Sequence, residues 1–193
     1  CVNFPGAPVL AGKGAYAVGS GLVQGAIPGS IFGSSSAASL EMTWLILEDA
    51  GGVISENAIY TVLSHLEPID AIVLGPGIGR EITTGRFVRT LVVNSGGDHK
   101  AGAGFPGLEK EPDTYTEKQK IPPLVIDADG LNALEDDVLI LKKGSRKRTV
   151  TVITPHAGEM SRLTGASSET IKHARKEVAK SFASDYNCIT VLK

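Results

Sequence analysis

Three short apolar runs in this chain each break off at residues that do not belong inside a strand. Asp70-Ala71-Ile72-Val73-Leu74 ends in Gly75-Pro76-Gly77-Ile78-Gly79. Pro123-Leu124-Val125-Ile126-Asp127 continues into Ala128-Asp129-Gly130, and Thr149-Val150-Thr151-Val152-Ile153 stops at Thr154-Pro155-His156. Continuous apolar runs of this length suit parallel strands covered on both faces. A fourth run, Cys188 to Leu192, follows a segment from Thr170 to Tyr186 in which Ile171, Ala174, Val178, Phe182 and Tyr186 recur at helical spacing. Further helices are predicted near Ile82 to Val93 and Leu131 to Leu139. Strands alternating with helices predict an α/β fold with three αβα layers around a mainly parallel sheet. Such sheets bind ligands beyond the carboxyl ends of their strands.

The first third of the chain reads as a small-residue helix over Ala7 to Gly19, then a buried strand from Leu22 to Ile27 stopped by Pro28-Gly29. Ser34-Ser35-Ser36 offers caps for a helix running through Leu40, Met42, Trp44, Leu45 and Leu47 to Gly51-Gly52. Ser55 is placed to cap a helix from Glu56 to Leu66, whose Ile59, Val62, Leu63 and Leu66 share one face. Residues 94–121 break the rhythm with Gly, Pro, Lys and Glu and are expected to form a mobile insertion within a single domain spanning residues 1–193. The basic run from Lys142 to Arg148 reads as a solvated helix-to-strand loop.

With 19 Lys and Arg against 21 Asp and Glu, the chain has no basic field to attract nucleic acid or an anionic membrane. No apolar stretch approaches the ~20 residues that span a bilayer. Two cysteines, Cys1 and Cys188, make no disulfide framework and point to a reducing, cytoplasmic setting. Cys188 reads as a small buried hydrophobe. A homo-oligomer is left open.

Glycines in the Gly75–Gly79 segment allow backbone N–H groups to approach a ligand closely, and a following helix N-terminus would favour an anion. The spacing fits neither the dinucleotide fingerprint nor a P-loop. Asp127 and Asp129 place two carboxylates beside a buried strand end, which is costly unless they find partners. Asp129 is expected to cap the following helix, leaving Asp127 to organise a Mg²⁺–water network or a substrate hydroxyl. His156 is expected at the mouth of the sheet, with Glu159 near a helix start. No His-Glu-x-x-His pattern accompanies them, so a zinc protease is excluded. Gly6-Ala7-Pro8 offers a backbone wall for a flat ring.

Taken in order, Phe4-Pro5-Gly6-Ala7-Pro8, Gly19-Ser20-Gly21-Leu22-Val23, Ile72 to Gly79, Val125 to Asn132 and Thr154 to Leu163 resemble the sequential blocks of the ADP-dependent NAD(P)H-hydrate dehydratases, which are ribokinase-like enzymes. The resemblance implies metabolite repair. The substrate would be NADH or NADPH hydrated at C6 of the nicotinamide ring (NADHX, NADPHX), its hydroxyl phosphorylated by a nucleotide and then lost as phosphate, with Mg²⁺ present. It further implies that Ala7, Gly75, Gly77, Gly79 and His156 line the hydrated dinucleotide, and that Asp127, Asp129 and Lys193 lie near the nucleotide phosphates. Metal ligands stay unassigned. Histidine in Thr-Pro-His resembles the ADP-using branch, where the ATP-using branch carries asparagine, so ADP rather than ATP is the expected donor.

The family's opening strand, its nucleotide loop after the lysine matched by Lys193, and its Gly-x-Gly-Asp motif with the catalytic Asp are not among these residues. The resemblance therefore implies a domain incomplete at both ends, without a catalytic base of its own and inactive alone. Two other readings remain. One is a ribokinase-like kinase for a vitamin precursor, against which the Thr-Pro-His-x-Gly-Glu block argues. The other is a non-catalytic nucleotide-binding module.

Overall fold

The computed structural model describes residues 1–94, 122–145 and 150–193. The predicted insertion, apart from Asn94, and the end of the basic run lie outside the described residues.

The chain opens with α1 (Gly6–Ala17), then β1 (Gln24–Pro28), a 3₁₀ turn (Gly29–Ile31) and α2 (Phe32–Ala38). Small residues in α1 serve close packing, since a Cβ at Gly12 would run into the Met42 thioether. The predicted helix from Ser34 to Leu47 is only half present. Ser39 turns extended (φ −153°, ψ 94°), and Thr43–Leu47 forms β2, parallel to β1 with Gln24 opposite Thr43 and Pro28 opposite Leu47. The run Thr-Trp-Leu-Ile-Leu is β-branched and aromatic, and this local preference prevails over the helical spacing read across Leu40 and Met42. Leu40, read as part of that helix, lies outside α2 and is exposed.

Gly51-Gly52 ends no helix either. Both have positive φ (62° and 83°) and join β3 (Asp49–Ala50) to β4 (Val53–Ile54) as a two-residue antiparallel hairpin. The Asp49 carboxylate accepts the Gly52 N–H at 2.7 Å and the Gly29 N–H at 3.2 Å, fastening this hairpin to the end of β1. Next comes α3 (Ala58–Leu63).

The remaining strands build one parallel sheet in chain order: β5 (Ile72–Leu74), β6 (Leu124–Ile126), β7 (Thr151–Ile153) and β8 (Ile189–Thr190). Between them lie α4 (Ile82–Asn94), α5 (Asp129–Asn132), α6 (Leu139–Ser145), α7 (Ala157–Thr164), α8 (Ser168–His173) and α9 (Arg175–Tyr186). The predicted helix from Leu131 to Leu139 is instead α5, a series of turns and α6. Asp136 and Asp137 favour turns over helix interior, while Leu131 and Leu134 stay buried. Lys142 to Ser145, read as loop, continue α6. The predicted Thr170–Tyr186 helix is broken at Ala174 (φ −118°, ψ 36°), yet Ile171 and Phe182 on either side both reach the core.

Leu74, Leu124, Ile126 and Ile153 face a core filled by Phe87, Val88, Leu91 and Val92 of α4, Ile140 and Leu141 of α6, Met160 of α7 and Phe182 of α9. Each such side chain, once out of water, contributes about 1.5–3 kcal/mol. On the opposite face the register aligns Val73, Val125, Val152 and Ile189 in one row. Its outer members are wet, Val73 59% and Ile189 53% exposed, so the expected covering of both faces is only partial among the described residues.

Candidate functional site

All four parallel strands end on the same side, and the residues singled out in the sequence gather there. At the exit of β5, Gly75, Gly77 and Gly79 have φ of 122°, 70° and 92°. Two of them are required by approach as well as by conformation. A Cβ at Gly75 would overlap the Asp127 carbonyl oxygen and lie 2.6 Å from the Gly130 nitrogen. Gly130 answers it from the start of α5 beyond β6, where a Cβ would stand 2.8 Å from the Leu74 carbonyl oxygen. The two strand exits thus touch backbone to backbone. A Cβ at Gly77 would collide with that of Ala7 and sit 3.0 Å from that of Phe4, so the start of α1 forms a wall with the glycine turn.

Asp129 does not cap a helix. It occupies the first turn of α5, whose N-cap is Ala128, with no side-chain cap bond. Its carboxylate reaches across to β5, accepting the Gly79 N–H at 3.1 Å, and also accepts the Asn132 amide at 3.3 Å. Ala128 takes φ 50° and ψ −121°, a region unfavourable for any residue with a Cβ. Backbone strain of this kind costs about 1–3 kcal/mol and collects at functional sites.

Asp127 at the tip of β6 accepts a hydrogen bond from the Lys193 ammonium at 2.7 Å, and the Lys193 backbone N–H donates to the Pro155 carbonyl at 2.8 Å. Burial is the largest single influence on the Asp127 carboxyl and pushes its pKa up. Hydrogen bonds from Lys193 and Thr154, the lysine charge and the Ala128 N–H together outweigh it and hold the group below its ordinary value. A folded-state pKa below the unfolded one contributes stability above the ordinary value that is lost as pH falls through the depressed one. Unfolding midpoints of the parent chain and of Asp127→Asn should therefore differ at neutral pH and converge as pH drops from about 4. The difference will be small, because the lysine is 46% exposed. A constant offset down to the acid limit would remove this role.

His156 is the N-cap of α7. Its Nδ1 accepts the N–H groups of Gly158 (3.0 Å) and Glu159 (3.3 Å), so the ring proton resides on Nε2 while this cap stands. Glu159, buried, completes a reciprocal capping box. Its Oε2 accepts the His156 N–H at 2.8 Å, and its Oε1 lies 3.3 Å from His156 Nε2. The imidazole, 56% exposed, is thereby fixed in tautomer and orientation at the sheet mouth.

The structure brings Ala7, Gly77, Gly79 and Asp129 into one connected wall, and joins Asp127 to Lys193. His156 stands at the neighbouring strand exit. Three residues outside the predicted set hold these in place: Glu159, Asn132 and Arg162. The first was legible as the fourth member of a capping box starting at His156. The other two act through long-range contacts with no signature of their own. Among the described residues no three His, Cys, Asp or Glu side chains gather as a metal cage, and no helix is long and apolar enough to cross a membrane.

A family profile described as NAD(P)H-hydrate dehydratase matches residues 1–97 and 102–193. A bifunctional NAD(P)H-hydrate repair enzyme of Moorella thermoacetica is 31% identical over 99% of this chain, which spans 31% of that protein. An ADP/ATP-dependent NAD(P)H-hydrate dehydratase from Bacillus subtilis, co-crystallised with ATP and Mg²⁺, superposes with TM-score 0.63 at 21% identity, covering 99% of this chain and 54% of its own. A ribokinase-like protein from Enterococcus faecalis superposes with TM-score 0.67 at 17% identity, again over 99% and 54%. The two structures establish a ribokinase-like α/β fold. The chain spans about a third of the bifunctional relative and about half of the solved ones.

Proposed function

The chain belongs to the NAD(P)H-hydrate dehydratase family, and from that premise we propose that it forms the hydrate-binding part of an enzyme restoring NADH and NADPH from their C6 hydrates, with ADP as phosphoryl donor. The observation that carries this reading is the meeting of the Ala7–Gly77–Gly79 wall, the fixed His156 ring and the Lys193–Asp127 pair beyond one set of strand ends. A flat, backbone-lined wall suits a nicotinamide ring. An oriented imidazole suits a hydroxyl, and a lysine beside a carboxylate suits phosphates.

In this reading the C6 hydroxyl attacks the β-phosphorus of ADP, releasing AMP and giving up its proton. The C6–O bond then breaks as the ring nitrogen pushes its electron pair toward C6 and phosphate departs. Loss of a proton from C5 restores the C5=C6 double bond. Because the ring itself drives the second stage, the protein's work lies in holding hydroxyl and phosphate in line and in stabilising charge. Asp127 offers one carboxylate, which fits a Mg²⁺ ion carried in on the nucleotide's phosphates rather than a cage of protein ligands. Such an ion would neutralise the transferring phosphoryl group. Cytoplasmic residence fits substrates and donor of this kind.

Titrating the 193-residue chain with hydrated NADPH tests the assignment. Saturable one-to-one binding that His156→Asn weakens supports it. Absence of binding, with phosphorylation of a small vitamin alcohol by the complete protein, would move the function to the kinase reading.

A further inference from the structure

The three strand exits are coupled by polar side chains that the proposed chemistry leaves unused. Arg162 on α7 donates to the Asn132 side-chain oxygen through both Nε (3.2 Å) and Nη2 (2.7 Å). Guanidinium has no acceptor, so this contact fixes which end of the Asn132 amide is oxygen. The NH₂ end must then face Asp129, to whose Oδ1 it donates at 3.3 Å. Asp129 is left with Oδ2 for the Gly79 N–H at 3.1 Å. Glu135 steadies the assembly by pairing with Arg162 at 3.2 Å and with Arg80, the residue after Gly79, also at 3.2 Å.

Resting on the hydrate-binding reading, we propose that Asn132 and Arg162 are positioning residues for the substrate site. They form a relay, Arg162 to Asn132 to Asp129 to Gly79, that sets the glycine turn of β5 in register with the helix carrying His156. Each link has a defined donor and acceptor, and the Asn132 amide cannot turn over without breaking both of its contacts. The wall residue Gly79 has positive φ at the end of the glycine turn, and its N–H is held by the Asp129 carboxylate. The relay touches no reacting atom and works only through Gly79 and α7.

The relay's polarity supplies its own test. Asn132→Asp keeps an acceptor for Arg162 but puts a second carboxylate against Asp129, removing the donor that orients it. Adding Asp129→Asn reverses the pair. Asp at 132 then accepts from Arg162 and from the new amide, whose oxygen remains free to accept the Gly79 N–H. Two readouts are needed on the 193-residue chain: hydrogen exchange of the Gly79 amide by NMR, and affinity for hydrated NADPH. The single variant should speed Gly79 exchange and weaken hydrate binding, each by about tenfold, the scale of one partly buried charge-assisted hydrogen bond. The double variant should return both to within about threefold of the parent, the signature of direct coupling. Arg162→Lys, which keeps the charge but loses the fork, should fall between.

Unchanged Gly79 exchange in Asn132→Asp would overturn the relay, and so would a double variant no better than the single. Loosened Gly79 with undiminished hydrate affinity would overturn its positioning role. A parent chain that protects Gly79 and shows the rescue in exchange, yet binds no hydrate, would instead sink the hydrate-binding reading and leave the relay standing.

Discussion

Gly75→Ala should cost about 3–4 kcal/mol of folding stability, as much as the loss of a large core side chain. Two penalties act together. A Cβ would demand a residue at φ 122°, where L side chains rarely go, and it would drive into the Asp127 carbonyl and the Gly130 backbone. Overpacking alone costs about 1–3 kcal/mol and backbone strain a similar amount. Neither obstacle can swing aside, since both are main chain of the neighbouring strand exit. Urea unfolding followed by circular dichroism measures this directly. A midpoint shift of less than about 1 kcal/mol would show that the β5 and β6 exits can part more easily than the geometry implies.

Glu159→Ala should have the second-largest effect, about 2 kcal/mol in stability, because the His156 N–H loses a carboxylate partner at 2.8 Å. The loss should also reach the ligand. Without Glu159 the imidazole keeps its Nδ1 bonds to α7 but nothing holds Nε2. Glu159→Gln separates the two roles. A single amide oxygen can accept either the backbone N–H or the Nε2–H, and the NH₂ group opposes whichever remains. Expected results are a smaller stability loss than for alanine, with hydrate affinity reduced about tenfold. Thermal unfolding paired with titration calorimetry reads both. Full affinity in Glu159→Gln would mean that the ring needs no tether.

The strand exits were legible because their chemistry is local. A continuous apolar run that ends in glycine, aspartate or proline-histidine announces both the strand and its functional end, and β5, β6 and β7 stand where those runs predicted. Trp44 and its neighbours misled because a five-residue apolar run carries too few turns to separate helix from strand, and its pairing with β1 is a tertiary fact. Asp129 misled for a related reason. Helix capping is the common local use of an aspartate at that place, whereas its actual partner, Gly79, is fifty residues away. Asn132 and Arg162 are thirty apart, and nothing in their immediate sequence says that they meet. Glu159 shows the reverse: its spacing from His156 is the local signal of a capping box, with histidine standing where serine or threonine is usual.

The row Val73, Val125, Val152 and Ile189 has a calorimetric consequence. Unfolding raises heat capacity in proportion to the apolar surface newly brought into water. A sheet whose one face already meets solvent at its margins has less of that surface left to reveal. The heat-capacity increment of these residues should therefore fall below the ~12–15 cal/mol/K per residue typical of globular proteins, and their denaturant dependence should be shallow for the same reason. Free energy would then vary only gently with temperature, and a molecule that clothed this face would show itself first as a steeper curve.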